Sequence, residues 1–286
     1  MFNSSLKKSA LAIHEQAVER YNSSYESMLN HCSELHSKRE RAIVEIKTVQ
    51  TVINTIAHTP KEFETQMGKV NQELLKFKNT QEYAAESMKA ELKSGASIAS
   101  GVAMGGAIAS LGPTAAMSIA TTFGTAATGT AIRTLYGAAA QKAAVAWIGR
   151  VTGGIATKGV ITGAGMASGN AFLALAGPIG WGLSAGMTGV SLLSMSNKNK
   201  KISDEAVAEA KKIMVARNNL DETSEKIQTL TQKTQRLLLE LTDQARRIER
   251  YKNADYRSLR HEEQQLLGTV VNNTLTLSCL VNQTVE

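Results

Sequence analysis

The amino-acid sequence predicts an all-α fold: an elongated bundle of long amphipathic helices with an internal Gly/Ala-rich hydrophobic helical head. Three observations predict it. Residues 3 to 57 carry neither Pro nor Gly, and their apolar side chains recur at three- and four-residue spacing, as on one face of a helix. A similar spacing returns after residue 203. Between these charged flanks lies a zone with 20 of the 22 glycines, from Gly95 to Gly189, and with no Asp or Glu from position 92 to position 203. No alternating strand pattern and no βαβ rhythm competes with the helical reading.

The N-terminal part, 1–93, supplies the first long helices. Leu6, Ala10, Ile13, Ala17, Tyr21, Met28, Cys32, Leu35, Ala42, Ile46, Val49, Ile53 and Ile56 form one stripe. At 1.5 Å per residue such a helix reaches roughly 80 Å, a rod rather than an element of a compact core. It breaks at HTPKE, where Thr59 can cap, Pro60 suits a first helical position and Glu62 can close a capping box. A second helix follows through Phe63, Met67, Val70, Leu74, Tyr83 and Met88 to about Lys93.

The C-terminal part, 198–286, repeats the plan. Ser203 followed by Asp204 and Glu205 reads as a helix start, because an oxygen and two acids suit the free amides of a first turn. Ala206, Ala210, Ile213, Leu220, Ile227, Leu238, Leu241, Ala245 and Ile248 then mark a seam. Arg217, Ser224, Thr231 and Thr234 interrupt it, which suits packing in a bundle better than a strict dimeric zipper. After a break near KNADYRS, a last amphipathic helix is expected over about 262–283, with Leu266, Leu267, Val270, Leu277 and Val281 inward.

The middle, 94–197, is the expected membrane-inserting head. Its only charges are Arg133, Lys142, Arg150 and Lys158. They leave two uncharged arms, 94–132 and 159–197, each with a Gly-Pro near its centre: Gly112-Pro113 and Gly177-Pro178. Each half-arm is near the roughly 20 residues a helix needs to cross hydrocarbon. The arms are therefore expected to form two hairpins tipped by Gly-Pro, or two spans kinked there. Hairpins are favoured, because they keep every Lys and Arg on one side of the membrane. The small residues also space for close helix packing, with GxxxG at Gly101/Gly105, Gly149/Gly153, Gly159/Gly163, Gly165/Gly169 and Gly182/Gly186. Trp147 and Trp181, the two tryptophans, fall within this zone, where an indole suits a membrane interface.

Composition narrows the chemistry. The net charge is +7, but the excess is not gathered into a basic patch with interleaved aromatics, so anionic lipid is a better expected partner than nucleic acid. Cys32 and Cys279 make neither a disulfide framework nor a zinc pattern. Cys32 and His36 stand at i, i+4, half of a metal site at most; an apolar-stripe position suits Cys32 better. VITGAGMASG lacks the third glycine of a dinucleotide loop, and GGIATKG is no P-loop. No cofactor, metal or catalytic grouping is expected, and the chain is not read as an enzyme. The first twenty residues lack a secretory apolar core, so the expectation is cytoplasmic residence or leaderless export before reaching a target membrane.

SGASIASGVAMGGAIASLGP through AGPIGWGLSAGMTG, set between long helices, resembles the head of the α-helical pore-forming toxins of the cytolysin A and haemolysin BL type. The resemblance is one of architecture over the whole chain, with no motif aligned residue by residue. Type III secretion translocators look similar for the same reasons. Likeness to the toxins implies a soluble bundle that hides its head, then inserts it and assembles, as a homo-oligomer or with a second component. The other expectations are a resident membrane scaffold with coiled-coil arms, and a soluble helical interaction protein with a glycine-packed core.

Overall fold

The glycine-free run at the start of the chain forms one uninterrupted helix, α1 (Phe2–Ile53), 52 residues long. In the computed structural model, residues 2–93, 119–135, 137–151 and 195–285 are described. α2 (Lys61–Lys93), α3 (Gly137–Val151), α4 (Met195–Ile248) and α5 (His261–Val281) follow. The chain is all-α; among the described residues, extended pairing is limited to two isolated bridges, Ala57 with Asp255 and Thr125 with Ala131.

Two compact units divide the chain, and α1, α2 and α4 each contribute to both. The first takes in Met1–Asn30 and Ser87–Glu225, with Glu286; the second takes in His31–Glu86 and Lys226–Val285.

The second unit is an up-down-up-down four-helix arrangement. Its register can be read from polar pairs. Gln50 donates to Asn71 at 2.9 Å across the α1–α2 hairpin, and Asn273 donates to Glu240 at 2.9 Å across the α4–α5 hairpin. His31 meets Gln228, and just past the ends of the same two helices Ala57 meets Ala254, so α1 and α4 run parallel. The core is apolar, with Ala42, Ile46, Val49 and Ile53 of α1, Phe63, Met67 and Val70 of α2, Leu241 and Ile248 of α4, and Leu267, Val270 and Leu277 of α5 all buried. The two hairpin tips are tied to each other: Ala57 N–H donates to the Ala254 carbonyl at 2.8 Å, and Tyr256 N–H donates to Ala57 at 2.9 Å. Phe63 and Tyr256 pack edge to face beneath this join. His58 and Asn253 adopt positive φ there, 56° and 61°.

In the first unit, Ala10, Ala17, Tyr21 and Met28 of α1 are buried, as are Ala210, Ile213, Ala216 and Leu220 of α4. Arg217 Nε donates to Ser24 Oγ at 3.2 Å while its guanidinium pairs with Asp221. Leu6 and Ile13, expected on the buried stripe, are 58% and 50% exposed.

Two local expectations are revised. Ser203 does not start α4, which already runs from Met195. α2 starts at Lys61, one residue beyond Pro60, whose carbonyl accepts from Phe63 N–H. The hydroxyls that interrupt the α4 seam are buried within it: Thr231 and Thr234 donate to Ile227 and Leu230 carbonyls at 2.9 and 2.7 Å. A threonine that bonds back four residues satisfies its own polar atom and presents a methyl to the core.

Candidate functional site

The described part of the glycine-rich zone, 119–135 and 137–151, lies in the first unit and forms a small packed module. It opens with a helical segment over 119–123, whose Ile119, Ala120 and Phe123 are buried. The helix stops at Gly124. A Cβ there would lie 2.4 Å from the Ala120 carbonyl oxygen and 2.9 Å from both Ile132 Cδ1 and Trp147 Cγ, so only glycine lets the three segments meet. The chain then reverses. Thr125 pairs with Ala131, Ala126 N–H donates to Thr130, and Gly129 takes a φ of 76° at the turn. A 3-10 turn, Ile132–Thr134, leads towards α3.

α3 turns Ala140, Ala144, Trp147 and Val151 inward, a spacing of four, three and four that makes one helical face. Its small residues let the backbone approach, and Trp147 fills the gap against Gly124. Arg150 donates to the Thr125 carbonyl at 3.1 Å, fastening the end of α3 to the turn. Asn219 of α4 donates to the Arg150 carbonyl at 3.3 Å, which satisfies an acceptor in the last turn of α3.

These positions bear on the expected site. Trp147 is 4% exposed and is packed in the core of the module. The half-arm after Pro113 is not one 20-residue helix in this structure, since its helix ends at Phe123 and the chain folds back at Gly124 and Gly129. Of the four central basic residues, Arg150 is engaged with the turn and Lys142 is exposed; Lys158 lies outside the described residues. So do Gly101, Gly105, Gly112, Pro113, Gly165, Gly169, Gly177, Pro178, Trp181, Gly182 and Gly186. Among the described residues, no helix is long and apolar enough to cross a membrane.

Elsewhere, Cys32 is buried and Cys279 exposed, both as free thiols. Burial pushes the Cys32 thiol up to about 12, so it stays protonated and apolar in character. The described residues hold no group of three or more His, Cys, Asp or Glu placed to bind a metal ion. Gly124 and Arg150 escaped sequence reasoning as site residues. Gly124 is one glycine among many, and nothing local announces that three backbone segments converge on it.

Compared with known protein families, characterised proteins and solved structures, the chain matches none.

Proposed function

We propose that this is a non-enzymatic membrane-inserting protein, a pore-forming toxin or toxin component, whose charged helices carry residues 94–197 in a soluble state and release them to lipid on oligomerisation. One observation carries the reading: no Asp or Glu from position 92 to position 203, while 25 acids are distributed over the rest of the chain. A helical zone facing only water has no reason to exclude one sign of charge, whereas a carboxylate in hydrocarbon is costly. The weak apolarity of Ala, Gly, Ser and Thr suits conditional partitioning. The partner is then a lipid surface with anionic headgroups, reached alongside further copies or a second component. Dye release from anionic liposomes tests this. The intact chain should cause leakage and a variant lacking 94–197 should cause none; equal release, or none from either, overturns it.

A second reading rests on the Gly124–Trp147 contact. Glycine-mediated close packing in the module is also what a helical interaction protein with a glycine-packed core would use. That reading expects no binding to liposomes of any composition, which vesicle flotation measures directly.

A further inference from the structure

The buried stripe of α1 in the four-helix unit contains one cation. Between Leu35 and Ala42, where the spacing calls for an apolar side chain, Arg39 is 1% exposed. Its Nη2 donates to the Gln283 carbonyl at 2.6 Å, just past the last residue of α5. Gln283 lies beyond the helix, so its carbonyl has no place in the α5 ladder and is open to a guanidinium donor. Nearby, the Asn282 amide donates to the Glu73 carboxylate and carbonyl of α2. α1, α2 and the end of α5 are thus held by one polar layer.

His36 sits in this layer, one turn from Arg39. Its ring stacks on Phe77 of α2 with centroids 6.3 Å apart, and its Nε2 lies 3.3 Å from Glu40 Oε1. Its Nδ1 is buried with no hydrogen-bond partner among the described residues. A neutral imidazole fits this arrangement, with Nε2–H donating to Glu40 and a bare Nδ1 lone pair inside. A second proton does not fit, because the new N–H finds no acceptor and the new cation lies near the buried guanidinium.

The groups around the ring can be named. α1 presents Cys32, Arg39 and Glu40. α2 presents Phe77, with the Glu73–Lys76 ion pair one turn away. At the register set by His31 and Gln228, α4 buries Leu230, Thr231 and Thr234, half-buries Gln235 with its Oε1 inside, and leaves Lys233 and Arg236 exposed. The end of α5 contributes Asn282 and the Gln283 carbonyl. Glu40 favours the charged imidazole, but burial is the larger influence and Arg39 adds to it, so the pKa falls below the usual 6.5. The neutral ring therefore contributes stability that is complete above about 6.5, and that is lost as pH falls from there towards the folded-state value.

We infer that His36 is an acid-sensitive joint of the four-helix unit: protonation adds a cation and an N–H without an acceptor to the layer binding α1, α2 and the end of α5, and so loosens it. The inference is independent of the membrane reading. Hydrogen exchange of the full chain, corrected for intrinsic rates, tests it at about pH 7.5 and about pH 5.5, on either side of the ordinary histidine value. Segments 30–42, 70–80 and 276–285 should exchange several-fold faster in acid. His36→Phe, which keeps a ring against Phe77, should remove that difference. Absence of the acid effect in the parent chain, or its persistence in the variant, overturns the inference. If His36→Phe does not fold, imidazole NMR titration of the parent chain decides. Titration of His36 below the ordinary range upholds the joint; titration at or above that range means that Glu40 prevails, and overturns it.

Discussion

Gly124 shows how one missing side chain can set a local fold. Three segments converge on its α-carbon, and the nearest atom to an added Cβ is backbone, the Ala120 carbonyl oxygen at 2.4 Å, which cannot swing aside as a side-chain tip could. Gly124→Ala should therefore destabilise the module by about 1–3 kcal/mol, the usual range for overpacking a tight site. In a Trp181→Phe background, which leaves Trp147 as the sole indole, the same change should shift emission to the red; an unchanged spectrum and melting temperature would count against the contact. The buried hydroxyls of Thr231 and Thr234 follow a related logic. Their composition argues against a core position, yet each finds an acceptor within its own helix, so the seam of α4 stays continuous without polar cost.

Among the elements, α5 has the most explicit start. The Glu263 carboxylate accepts from Arg260 N–H at 2.9 Å and from its guanidinium at 3.0 Å. These bonds bring Glu263 down to about 2 from its ordinary 4.5. A depressed carboxylate contributes stability that is present above its ordinary pKa and disappears as pH falls through the folded value. Denaturant unfolding should show Glu263→Gln slightly less stable than the parent chain at neutral pH, with the gap closing between about 4.5 and about 2; a gap constant with pH would contradict this. The helices themselves were legible in the sequence, because Ile46, Val49, Ile53, Leu241 and Ile248 sit on a period that only a helix satisfies. Helix ends were less so. Ser203 carries good capping chemistry, but the residues before it can also continue a helix, and α4 extends back to Met195. Arg39 was illegible as a core residue, since its burial depends on the end of α5, far away in sequence. The turn at 124–131 was illegible for the opposite reason: Gly, Ala and Thr impose no period.

For the molecule as a whole, the proposed function divides labour between a zone without acids and flanks whose 28 basic and 25 acidic residues nearly balance. The four-helix unit contains none of residues 94–197, so the deletion variant of the leakage assay should retain its helical circular dichroism. The Gly-Pro pairs allow a finer test. Gly177→Leu combined with Pro178→Leu favours one straight helix over a turn, since it removes both the flexible and the helix-breaking residue. Leakage should fall several-fold while solubility is retained; unchanged leakage would make the pair a kink or an irrelevance. The division into charged flanks and uncharged arms was fully legible in the sequence. The packed module of 119–135 and 137–151 was not, because it depends on contacts among segments whose composition alone is uninformative.

The join between the two hairpin tips has a consequence for biosynthesis. Ala57 is complete only when it meets Ala254 and Tyr256, and in the four-helix unit the apolar faces of α1 and α2 share one core with those of α4 and α5. Everything between is translated first. At about 5–20 residues per second, the nascent chain carries an unfinished pair of helices, followed by the whole glycine-rich zone, for tens of seconds before their partners emerge from the ribosome. Under the proposed function, such a chain has to be kept from the membranes of the cell that makes it during that interval, before the finished fold exists.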